Sequence, residues 1–191
     1  MKGFILFSRM ATLICSLCLI FDIVSLIVDI SLIWGYIYTF IYNIILIVFP
    51  LLLMSQSKTF KTPATYILIA SSLTLIDKLL GLFMRSLSSE AMMVMTIVLG
   101  VIYLLYLVFV FMGYFKLGKL LPKPSLSRSM AIAYPYTYIL QLVVSFILGL
   151  FSLEAAVSVS LFKFIGVAQL LVITLLLFSF TQRNDDCAYG D

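Results

Sequence analysis

Histidine is absent from this chain, charged residues are scarce, and no polar stretch is long enough to build a soluble domain. Each lack excludes something. Without His, the commonest general base and the imidazole metal ligand are gone. With Asp, Glu, Lys and Arg at 10%, against about 25% in soluble domains, no ordinary water-facing surface can be covered. There is no Gly-x-Ser-x-Gly elbow, phosphate-binding glycine loop or set of paired cysteine ligands, so no cofactor or metal is expected. Cysteine is limited to Cys15, Cys18 and Cys187. The first two share one face of an apolar run, where a C-x-x-C spacing reads as small packing residues rather than a redox pair.

What remains is apolar. Hydrophobic residues make up 64%, against roughly 45–50% in soluble domains, and the mean hydropathy is +1.23. Folded in water, such a chain would expose large apolar patches; in lipid it need not. The net charge of +4 does not point to nucleic acid, because the basic residues sit in short gaps between apolar runs and not on one face.

A hydrocarbon core about 30 Å thick requires about 20 helical residues. Six runs qualify: Met10 to Ile30, Trp34 to Met54, Ala64 to Phe83, Ala91 to Tyr114, Met130 to Phe151, and Ala155 to Phe180. They are continuously apolar, which favours helices over the alternating strands of a barrel. The expected fold is an all-α integral membrane protein over 1–191. It is a bundle of six transmembrane helices in three hairpins, with a short cytoplasmic tail over 181–191. Lys2 and Arg9 before the first run could be read as the start of a cleavable signal. That run is too long, carries Asp22 and lacks a small-x-small site, so it reads as the first span.

Orientation follows from Lys and Arg, which short loops retain on the cytoplasmic side. Lys2, Arg9, Lys58, Lys61, Lys116, Lys119, Lys123, Arg128 and Arg183 fall on one side, leaving Lys78, Arg85 and Lys163 of the twelve. Cytoplasmic termini are expected, in the cytoplasmic membrane of a bacterium. The Lys116 to Ser129 loop carries four positive charges around Pro122 and Pro124. It reads either as a topology-setting loop or, over Lys116 to Arg128, as a contact with anionic lipid or a membrane-protein partner. A faint repeat also joins the second hairpin to the third, with Thr65-Tyr66-Ile67-Leu68 recurring as Thr137-Tyr138-Ile139-Leu140.

Charges inside the spans carry most of the functional information, since an ionisable group in lipid needs a partner or a cavity. Asp22 and Lys163 each lie eight residues inside an outer helix end, about 12 Å deep, and Asp77 lies six residues inside, about 9 Å deep. Opposite charges at one level predict a pair, Asp22 with Lys163, with Asp77 as the other acid. Asp29 follows Asp22 on the same face, nearer the surface, and Lys78 is expected to snorkel outward. Asn43, Gln141 and Gln169 are the deeper polar groups, more often bonded between helices than to ligands. Ser145 and Gly149 form a small-xxx-small spacing that predicts close packing, Pro50 is placed to kink the second helix, and Tyr36, Tyr38 and Tyr42 add hydroxyls.

Two functional classes follow. In the first, Asp22, Asp77 and Lys163, supported by Asp29, Asn43 and Gln169, line an outer-half polar cavity that binds or transports a small solute. In the second, the same charges tie helices together in a non-catalytic structural or assembly subunit of a larger membrane complex. Catalysis is not expected: Asp22 and Asp77 could face each other as in an aspartyl protease, but Lys163 nearby opposes a shared proton. In size, helix count and expected cytoplasmic ends, the chain resembles the membrane-embedded substrate-binding subunits of energy-coupling-factor vitamin transporters, whose site lies in the outer half. It departs from their first-helix Ala-x-x-x-Ala pattern, Ala11 being the only alanine there, and no residue is carried over.

Overall fold

An apolar run buried in lipid can satisfy its backbone only by hydrogen-bonding to itself, and the continuous runs of this chain all coil into helix. The computed structural model describes residues 2–25, 32–83, 88–151 and 155–182. Asp29, Arg85 and most of the tail over 181–191 lie outside the described residues. Six α-helices occur among them: α1 (Lys2–Ser25), α2 (Leu32–Met54), α3 (Lys61–Phe83), α4 (Ser89–Leu120), α5 (Leu126–Phe151) and α6 (Ala155–Thr181). A short 3₁₀ turn, Lys58–Phe60, precedes α3, and no strand is found among the described residues. Five of the helices are long and apolar enough to cross a membrane, and in α2 the described apolar stretch Thr39–Met54 is shorter.

The helices overrun the apolar runs that announce them. α1 begins near Lys2 because Phe4, Ser8 and Ala11 face inward while Arg9 stays exposed. α4 continues past Tyr114 to Leu120 for the same reason: Leu117 and Gly118 are buried while Lys116 and Lys119 point away. The basic loop is therefore short, since Lys116, Lys119 and Arg128 belong to helices and only 121–125 connect them. Its Lys123–Pro124 peptide is cis. Ser125 caps α5, its Oγ accepting from the Arg128 backbone N–H at 3.2 Å, and Ser88 caps α4 by accepting from Ala91 N–H.

The six helices form a closed ring. Each packs on its neighbours in sequence, and α6 closes on α1. The three-hairpin picture is thereby altered, because α1 lies mainly against α6 and only thinly against α2. Phe4 near the start of α1, Phe49 near the end of α2 and Phe180 near the end of α6 pack together, with Phe4 and Phe180 centroids 5.5 Å apart. One end of the bundle thus gathers the first turn of α1 and the last of α6.

Burial is concentrated toward that end. Among the described residues, the last buried position on α1 is Cys18 and the last on α3 is Ser71, while burial on α4 starts at Tyr106. Cys15 and Cys18 are both buried within this core, as packing residues would be. Large apolar side chains such as Leu13, Leu17, Ile97, Leu104 and Phe146 stand on the outside of the ring, a surface suited to lipid. Close approach occurs where glycine allows it. A Cβ on Gly113 would lie 2.7 Å from Ile67 Cγ1 and 3.0 Å from the Ile67 backbone nitrogen, so α4 seats directly on α3. Of the spacing singled out on α5, Ser145 is exposed and donates to the Gln141 carbonyl of the same helix, while the surroundings of Gly149 lie outside the described residues. The repeat also fails to map onto equivalent places. Tyr66 lies half-buried five residues into α3, whereas Tyr138 lies buried twelve residues into α5.

Candidate functional site

Where core packing thins out, a cavity of about 260 Å³ lies on the ring axis, and all six helices contribute to its wall. Its rim carries charge. Asp22 of α1 and Asp77 of α3 are half-buried there, and the neighbouring Lys78 is exposed, so the cavity reaches the surface of the bundle. Asp77 is six residues from the end of α3, Phe83, or about 9 Å along the axis. The walls combine apolar Leu73, Ile102 and Leu170 with Thr39 and Thr74.

The floor is aromatic. Tyr42, Tyr103, Tyr106 and Tyr138 line the cavity, and Tyr134 backs them from below. Tyr134 exchanges hydrogen bonds with Tyr42 at 3.2 Å and with Tyr138 at 2.9 Å. Tyr106 meets Tyr138 edge to face at 5.3 Å, and Tyr114 packs on Tyr134 at 4.6 Å. The phenols of Tyr42 and Tyr138 thus bond to a buried neighbour, which fixes their rings and seals the bundle beneath the cavity.

Two amides show contrasting arrangements. Gln169 Nε2 donates to Gln141 Oε1 at 3.0 Å, joining α6 to α5, as deep polar groups in a bundle commonly do. Asn43, only 2% exposed, donates from Nδ2 to the Thr39 carbonyl of its own helix at 2.8 Å. Its Oδ1 has no hydrogen-bond partner. The orientation of this amide is fixed, because only the nitrogen can satisfy a carbonyl. A buried acceptor without a donor costs about 1–3 kcal/mol; Asn43 belongs to the cavity wall, with Oδ1 itself buried in it.

The sequence candidates divide accordingly. Asp22, Asp77, Asn43 and Gln169 come together around one cavity, whereas Lys163 is not among its lining residues. Lys163 Nζ, half-buried, donates to the Ser25 carbonyl at 2.9 Å, tying α6 to the last described turn of α1. Asp29 is outside the described residues. The tyrosines of α4 and α5 are the part that sequence reasoning missed. Their only signal is spacing, Tyr103 with Tyr106 and Tyr134 with Tyr138 each recurring on one helix face. Among the described residues no cluster of metal-ligating side chains occurs. Compared with protein-family models, characterised proteins and solved structures, the chain matches none.

Proposed function

We propose that this chain is a six-span protein of the bacterial cytoplasmic membrane that binds or transports a small solute through its axial cavity from the extracytoplasmic side. The observation that carries the reading is the cavity itself. It is lined by all six helices, charged at its rim and closed by tyrosines below. Two further features support the direction. The meeting of Phe4 with Phe180 accords with an even number of spans, and Lys58, Lys61, Lys116 and Lys119 lie at the sealed end, which the positive-inside rule assigns to the cytoplasm.

The volume corresponds to about nine waters at about 30 Å³ each, room for a ligand of on the order of ten non-hydrogen atoms. Mass spectrometry of protein purified in mild detergent tests the proposal. A co-purifying molecule of that size is expected, and it should disappear in Gly166→Leu. Gly166 lines the cavity, and a Cβ there would meet nothing within 4 Å, so a side chain at this position starts out in open space. Uptake into proteoliposomes then separates transport from binding alone. The reading as a structural or assembly subunit draws on the Lys163 tie between α1 and α6. Partner chains in fixed ratio with no bound small molecule would favour it.

A further inference from the structure

Resting on the cavity reading above, we infer that the solute is an uncharged amide, a flat molecule with an N–H donor beside a carbonyl acceptor, read by Gln141 and Gln169. A side-chain amide carries one oxygen acceptor and one nitrogen donor group. The bond from Gln169 Nε2 to Gln141 Oε1 at 3.0 Å uses one of each, so the Gln141 nitrogen and the Gln169 oxygen are left over. Among the described residues neither has a further hydrogen-bond partner. Neither is sealed in the protein, because the buried side-chain atoms without a partner among those residues are Ser8 Oγ and Asn43 Oδ1. Both glutamines line the cavity, Gln141 on the face of Tyr138 and Gln169 on the face of Gly166. The outcome is the same whichever amide donates, since turning both over exchanges their roles and still leaves one nitrogen and one oxygen.

One small molecule can reach both atoms. The oxygen and nitrogen of an amide are about 2.2 Å apart, so across the 3.0 Å bond the free nitrogen and free oxygen are separated by at most about 7.4 Å. A solute carbonyl accepts from the Gln141 nitrogen while a solute N–H donates to the Gln169 oxygen, a match that a ketone or ester satisfies only by half. Depth favours a neutral solute. Gln141 is ten residues from the end of α5 and Gln169 fourteen from the start of α6, about 15 and 21 Å along their axes, whereas Asp77 is about 9 Å from the end of α3. An ion held between the glutamines would lie near the middle of a hydrocarbon core about 30 Å thick, where charge is costly. Tyr106 and Tyr138, edge to face at 5.3 Å, give the flat body of the solute an aromatic surface to pack on.

Probes of one shape test the inference on the full chain in lipid nanodiscs, by titration calorimetry and thermal shift: benzamide, acetophenone, benzoate and benzamidine. Benzamide should bind at least tenfold more tightly than acetophenone, which keeps the carbonyl but lacks the N–H, and than benzoate and benzamidine, ions of opposite sign. Gln141→Leu combined with Gln169→Leu should bring benzamide to within threefold of acetophenone while leaving acetophenone within threefold of its affinity for the parent, a pattern that loss of folding would not produce. A preference below tenfold over any of the other probes overturns the amide assignment and, since a probe has bound, leaves the cavity reading standing. A preference that survives in the folded double variant overturns the role of the glutamines. Binding of no probe overturns the assignment, and the co-purification with Gly166→Leu then decides the cavity reading separately. The comparison on the unsubstituted chain holds even if the double variant fails to fold.

Discussion

Asn43 illustrates how a single side chain can be costly to the fold. Its Oδ1 is buried without a donor, a penalty of about 1–3 kcal/mol in the empty protein. Asn43→Leu removes the orphan at nearly constant volume, and the Thr39 carbonyl keeps its helical partner. The variant should unfold at the same temperature as the parent or higher and leave solute binding little changed, since Oδ1 itself is buried in the wall. A thermal scan with a binding titration checks this, and a destabilised variant would show that Oδ1 already has a donor in the folded protein. Lys163 stands on the other side of the division. Lys163→Met should lower stability by on the order of 1 kcal/mol, through loss of the Ser25 bond, while changing solute affinity less than threefold. A larger loss of affinity would place the ammonium in the cavity with Asp22 and Asp77.

At the scale of helices, close packing is set by glycines whose neighbours differ in how far they can yield. Gly113 faces the Ile67 backbone nitrogen at 3.0 Å, whereas Gly118 faces the flexible Ile132 side chain at 2.7 Å, with the nearest backbone atom at 3.6 Å. Backbone cannot rotate away. Gly113→Ala should therefore cost about 1–3 kcal/mol by overpacking α3 against α4, and Gly118→Ala should cost clearly less. Gly100→Ala, which meets nothing within 4 Å, should be neutral or stabilising by up to about 1 kcal/mol from helix propensity. Denaturation in a single detergent ranks the three. A Gly113→Ala chain as stable as the parent would mean that α3 and α4 do not approach this closely.

The whole molecule is asymmetric from end to end, and that asymmetry underlies its proposed direction. Phe4, Phe49 and Phe180 seal one end, Tyr42, Tyr134 and Tyr138 close the middle, and Asp22, Asp77 and Lys78 mark the other end. If the sealed end is cytoplasmic, Ser125→Cys in the α4–α5 connection should react with an impermeant thiol reagent only from inside. Ser88→Cys at the start of α4 should react only from outside. Cys15 and Cys18 are buried, and Cys187→Ser removes the remaining thiol, so a chain carrying that substitution alone serves as background. Labelling of both positions from one side would remove the six-span topology.

Much of this was legible in the sequence because it depends on composition. A chain with 64% hydrophobic and 10% charged residues, its apolar runs continuous and not alternating, places its backbone in lipid as helices, and the scarcity of charge made Asp22, Asp77 and Lys163 conspicuous. The limits of the helices were less legible. A hydropathy run ends at the first Lys or Arg, while the helix continues with Lys116 and Lys119 facing away and Leu117 buried. Only the tertiary structure decided which polar groups meet. Depth along a helix can be counted from the sequence, but rotation about its axis cannot, and rotation is what turns Asp77 and Asn43 into the cavity while Lys163 reaches Ser25. The tyrosine floor was hidden for the same reason, since Tyr42, Tyr106 and Tyr138 come from three helices that only the closing of the ring brings together.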